Sequence, residues 1–79
     1  MTTYEALVDL VSREMKVDPG VLEADKPLAA YGLDSLALVD LMFLVEEHFG
    51  IDIPTGAARF ETLREFTQLI DGLMIKRAA

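Results

Sequence analysis

The sequence predicts an all-α fold, a small bundle of three long helices with room for a short fourth before the last. Three observations carry this. Apolar residues recur at helical spacing in three separate segments, capping residues stand at their starts, and no run alternates with the period of a strand. The chain has 79 residues and is 52% hydrophobic, so a single domain, 1–79, has apolar material for one core.

In the first helix Tyr4, Leu7, Val8, Val11 and Met15 form one stripe. Thr2 and Glu5 have the spacing of a capping box, which starts the helix at once. Asp18-Pro19-Gly20 is expected to stop it, because the residue before a proline avoids helical angles. Residues 17–34 then form a long connection carrying Pro19, Gly20, Pro27 and Gly32. Its apolar residues Val21, Leu22, Leu28, Tyr31 and Leu33 predict a segment packed over the core rather than a loose tether.

The second helix is expected from Asp34-Ser35 to Phe49, with Gly50 as its stop. Leu38, Leu41, Met42, Val45 and Phe49 make its main stripe. Leu36, Val39 and Phe43 make a second, so the helix is apolar nearly all round. A domain this small cannot bury such a helix on every side, and the second stripe predicts a working surface. After Ile51-Asp52-Ile53-Pro54 the sequence predicts a loop with one short turn around Ala57 to Phe60. Thr62 and Glu65 repeat the capping-box spacing, and Leu63, Phe66, Ile70, Leu73 and Met74 form the stripe of the last helix. Lys76 and Arg77 suit its negative end.

Composition narrows the function. There are 14 acidic residues against 7 basic ones, a net charge of −7. Residues 1–54 hold 11 acids and 3 bases (−8), and residues 55–79 hold 3 acids and 4 bases (+1). This balance argues against nucleic acid, which needs clustered Lys and Arg, and for basic partners. The absence of cysteine excludes a disulfide framework, a thiolate zinc site and a thiol nucleophile within the chain. The start lacks the basic region and apolar run of a signal peptide, and the longest apolar run, Leu41 to Val45, is far too short to span a bilayer. The expected location is the cytoplasm, with no membrane partner.

Material for catalysis is scarce. The single imidazole is His48, and on one helix it stands about 20 Å along the axis from Ser35, which rules out a Ser–His dyad there. Glu46 and Glu47 are adjacent and diverge on a helix, so they do not pair on a metal. No calcium loop and no glycine-rich phosphate loop is present. A non-enzymatic role without metal is expected.

The distinctive segment is Tyr31-Gly32-Leu33-Asp34-Ser35-Leu36. Asp34 and Ser35 both suit helix capping, which is their commonest role at such a position. A serine at a helix start, however, also has its hydroxyl beside unpaired N–H groups and the positive end of the dipole, a favourable place for a phosphate ester. It follows a long connection and precedes the stripe Leu36, Val39, Phe43, which Asp34, Asp40, Glu46 and Glu47 flank. A reachable serine, an apolar strip and an acidic rim together suit a surface that is modified and then docked.

Gly32-Leu33-Asp34-Ser35-Leu36, followed by Val45-Glu46-Glu47-His48-Phe49-Gly50-Ile51-Asp52-Ile53-Pro54, resembles the acyl carrier protein family over nearly the whole chain. The resemblance implies an acyl-carrier-like four-helix bundle of three long helices and one short one. It implies that Ser35 carries 4′-phosphopantetheine in phosphodiester linkage. The thiol of that arm would hold acyl, polyketide or aminoacyl intermediates as thioesters, a borrowed sulfur for a chain with none of its own. Implied partners are a phosphopantetheinyl transferase, an acyl- or aminoacyl-loading enzyme, and condensing or acyltransfer enzymes.

By the same resemblance, Asp34 helps the transferase recognise the site and Leu36 meets that enzyme and later partners. Val39 and Phe43 match contact positions, and Asp40, Glu46 and Glu47 supply acidic contacts. Ala37 and the nearly neutral Thr55-Gly56-Ala57-Ala58-Arg59-Phe60 depart from carriers of fatty acid synthesis, where acids are usual. Secondary metabolism is therefore as open as fatty acid biosynthesis. The chain reads as a free-standing, monomeric carrier. The alternative is an unmodified helical interaction domain in which Ser35 is only a cap. A small hydrolase is disfavoured by the missing dyad.

Overall fold

A computed structural model describes residues 2–54 and 60–78. Among them the chain forms three α-helices, α1 (Thr3–Met15), α2 (Ser35–Phe49) and α3 (Leu63–Ala78), with two 3-10 turns, Pro19–Val21 and Leu28–Tyr31, between α1 and α2. The all-α class and the order of the long helices are as expected. Of the short turn expected around Ala57 to Phe60, all but Phe60 lies outside the described residues, as do Arg59 and the side chains of Lys76 and Arg77.

Each helix starts for the reason its sequence suggests. Thr2 Oγ1 accepts the Glu5 N–H (3.1 Å) while Glu5 Oε1 accepts the Thr2 N–H (3.1 Å), a complete capping box. These bonds favour the ionised Glu5 and hold its carboxyl below its ordinary pKa. At α3, Thr62 Oγ1 accepts the Glu65 N–H (3.2 Å), but the Glu65 carboxylate reaches one residue further back, to the Glu61 N–H (3.0 Å). The end of α1 differs from expectation. The helix stops at Lys16, which adopts a left-handed conformation (φ 56°), two residues before Asp18. The N–H groups of Lys16 and Val17 both turn back to the Ser12 carbonyl, so the end is closed before the proline is reached.

The core is built from all three helices and the long connection. Leu7 and Val11 of α1, Leu41 and Val45 of α2, and Leu63, Phe66 and Ile70 of α3 are buried together with Leu22, Leu28, Leu33, Ile51 and Ile53. The connection is thus packed through Leu22, Leu28, Leu33 and Tyr31, whereas Val21, expected to pack with them, is exposed, and the connection is also tied. Leu28 N–H donates to the Glu61 carbonyl (2.7 Å), beside an isolated antiparallel bridge between Pro27 and Thr62, and Arg64 N–H donates to the Ala24 carbonyl (2.9 Å). The latter bond satisfies an N–H of the first turn of α3 that no helical carbonyl can reach. The Tyr31 hydroxyl accepts the Glu23 N–H (2.8 Å) and braces the connection internally.

Arg64 completes the tie with a two-pronged ion pair, Nε to Asp25 Oδ1 (2.6 Å) and Nη2 to Asp25 Oδ2 (3.1 Å). The guanidinium holds the Asp25 carboxyl below its ordinary 3.8. Because the folded pKa is the lower one, the pair's contribution is present above pH 3.8 and lost as the pH falls through the folded value. The stability gap between wild type and Asp25→Asn in urea unfolding is therefore expected to narrow between pH 6 and pH 3. A gap that is constant or widens with acid would contradict it.

Candidate functional site

At a helical step of 100° per residue, α2 divides into three faces, which explains a helix apolar nearly all round. Leu41 and Val45 turn into the core, while Leu38, Met42 and Phe49 are only half-buried. The expected core stripe is therefore narrower than its sequence pattern. Leu36, Val39 and Phe43 are exposed, at 71%, 43% and 63%, so the second stripe does face solvent. Asp34, Asp40 and Glu47 are exposed as well. Leu36, Val39, Asp40, Phe43 and Glu47 fall within about 100° of one another around α2, which makes one apolar face with an acidic edge.

The cap of α2 is Asp34, not Ser35. Asp34 takes an extended conformation (φ −91°, ψ 179°), and its Oδ1 accepts the Ala37 N–H at 2.8 Å. Ser35 is the first helical residue, is exposed, and its hydroxyl has no hydrogen-bond partner among the described residues. The reading of Ser35 as a cap is thus corrected. The neighbouring carboxylate does that work and leaves the hydroxyl free for chemistry.

Ser35 also opens onto a cleft of about 400 Å³ that the sequence pattern did not reveal. Leu38, Val39, Met42, Phe43 and Glu46 line it along α2, and Ile53 and Phe60 face them. Phe60 is held there by stacking on buried Phe66, with ring centroids 4.0 Å apart and planes 9° from parallel. The available signal was the half-buried pair Leu38 and Met42, more apolar surface than the core of so small a bundle needs.

Glu46 stands apart from the other acids. It is half-buried, and its Oε2 accepts the Ile53 N–H at 2.8 Å. His48 is exposed near the opposite end of α2 from Ser35 and sits edge-on to Phe49 at 4.9 Å. A catalytic link between Ser35 and His48 has no geometric basis. No cluster of three or more metal-ligating side chains occurs among the described residues, and no helix among them is long and apolar enough to cross a membrane.

The arrangement offers an exposed hydroxyl at the positive end of a helix, beside an apolar cleft and an exposed apolar face with an acidic edge. A free hydroxyl and the adjacent N–H groups of a first helical turn fit a phosphodiester, and the cleft fits an apolar chain attached beyond it. Comparison with known proteins agrees. The sequence pattern of a phosphopantetheine attachment site matches residues 5–70. A probable acyl carrier protein of Streptomyces coelicolor is 33% identical over 79 residues, covering 90% of this chain and 88% of that protein. An acyl carrier protein of Campylobacter hominis is 32% identical, with coverage of 92% and 95%. One from Guillardia theta is 34% identical, with coverage of 96% and 93%.

Proposed function

Since the chain belongs to the acyl carrier protein family, whose members carry covalent 4′-phosphopantetheine, we propose that Ser35 is the residue that holds this group. The observation that carries the reading is the Ser35 hydroxyl itself: exposed, unpartnered, and relieved of capping by Asp34. When bound, the group supplies a thiol that holds acyl cargo as a thioester. Attachment would form an O–P bond at Ser35 Oγ and break the diphosphate of coenzyme A, with adenosine 3′,5′-bisphosphate leaving and the hydroxyl proton released.

The chain's own residues then position and present. Leu36, Val39 and Phe43 form the apolar contact for a phosphopantetheinyl transferase and for the loading, condensing or acyltransfer enzymes that follow. Asp34, Asp40 and Glu47 supply charge that speeds encounter with basic partner surfaces. The cleft beside Ser35 gives the carried chain apolar surface away from water. The domain, 1–79, acts in this reading as a monomeric, non-catalytic carrier in the cytoplasm.

The test is intact-mass measurement after incubation with coenzyme A, magnesium and a broad-specificity phosphopantetheinyl transferase. One added phosphopantetheine is expected, and an unchanged mass overturns the proposal. The docking face is tested separately by Phe43→Glu. Loss of an exposed aromatic anchor is expected to slow loading or transfer about tenfold or more, while the helical circular dichroism is kept. Unchanged transfer, or loss of the helical signal, would show that Phe43 has another role.

A further inference from the structure

Glu46 organises the end of α2 from two positions. Its main-chain carbonyl accepts the N–H groups of Gly50 (2.9 Å) and Ile51 (3.2 Å). Its carboxylate then reaches past the left-handed Gly50 turn (φ 67°) to the Ile53 N–H (2.8 Å). The Ile53 side chain is buried, and both it and Glu46 line the cleft. Ser35 lines the same cleft eleven positions earlier, about 16 Å away along the helix axis. Ile53, hydrogen-bonded to Glu46, therefore closes the end remote from Ser35, and the bond that keeps it there is made by a side chain.

We propose that Glu46 is a latch that sets how deep the cleft is for the chain carried on Ser35. This rests on the carrier reading above. Glu46 is a positioning residue: it acts on the cargo through Ile53 and not by contact with a partner enzyme. With the carboxylate in place, the Ile53 side chain is a fixed end wall against which the tip of a long chain packs. Without an acceptor, the Ile53 N–H must find water, residues 52–54 loosen beyond Ile51, which the Glu46 carbonyl still holds, and long chains lose that contact. Short chains, which fill less of the cleft and bury less surface against Ile53, depend on it less.

The test compares Glu46→Met, which keeps the length of the side chain without the acceptor, with Glu46→Gln, whose carbonyl oxygen still accepts an N–H. In the unmodified protein, exchange of the Ile53 amide is expected to accelerate at least tenfold in the Met variant, with exchange of the mid-helix Val45 amide unchanged and the Gln variant resembling wild type. The proteins are then loaded with chains from acetyl to dodecanoyl, and the Ile53 δ-methyl resonance is followed. In wild type and Glu46→Gln it should shift most for the long chains, and in Glu46→Met for none. Failure of wild type to take up phosphopantetheine defeats the carrier reading and the cargo-depth role with it. Loaded wild type and Met variants that respond alike to long chains, or a Gln variant that behaves like Met, defeat the latch alone.

Discussion

Ser35→Ala is expected to abolish phosphopantetheine loading completely, with no added mass under conditions that convert the wild type, because no other side chain replaces the attacking oxygen. The same variant should cost less than about 0.5 kcal/mol of stability, as an exposed residue without hydrogen-bond partners does. Asp34→Ala is the counterpart. It removes the acceptor for the Ala37 N–H and is expected to cost about 1 kcal/mol. Intact mass and urea unfolding on the two variants separate carrier from cap. A labelled Ser35→Ala protein would place the attachment elsewhere, and a Ser35→Ala loss near 1 kcal/mol would return capping to the serine.

Phe66→Ala is expected to have the largest effect on the fold. The ring is fully buried in the core and stacks on Phe60. Truncating a buried phenylalanine costs about 3–5 kcal/mol through lost transfer energy and the cavity left behind. A domain of this length has roughly 4–12 kcal/mol in total. The melting temperature should therefore fall by on the order of 20 °C, and a substantial unfolded fraction at 37 °C is expected. A fall of only a few degrees would mean that the cavity collapses or that Phe60 moves in to fill it.

Much of this was legible in the sequence because it is local. The capping box at Thr2 and Glu5, the stop at Gly50 and the stripes of α1 and α3, except for Met74, which is exposed at the end of its stripe, depend on residues a few positions apart. So does the surplus stripe Leu36, Val39, Phe43, which the structure leaves exposed. What stayed hidden depends on conformation or on distant contacts. Asp34 and Ser35 are both good caps, and only the extended backbone of Asp34 decides between them. The stop of α1 at Lys16 was masked by the stronger signal of Asp18-Pro19-Gly20, because a lysine in the left-handed region carries no compositional mark. Glu46 read as one more surface acid. Its bond to Ile53 spans the Gly50 turn and has no sequence pattern of its own. The cleft required Phe60, which reaches it only because Phe66 holds its ring.

The tie between the long connection and α3 has a consequence for the order in which the chain assembles. The Asp25–Arg64 pair joins residues 39 positions apart, whereas each helix is made of contacts within single turns. Closing a loop of that size costs about 3 kcal/mol of chain entropy, and it is offset only once the core beneath holds both ends in place. The bonds at Ala24, Asp25 and Leu28 are therefore expected to form after the core, which chevron analysis of Asp25→Asn checks through a φ-value near zero. Substitutions there act on how fast the domain comes apart and leave the speed of its formation almost untouched.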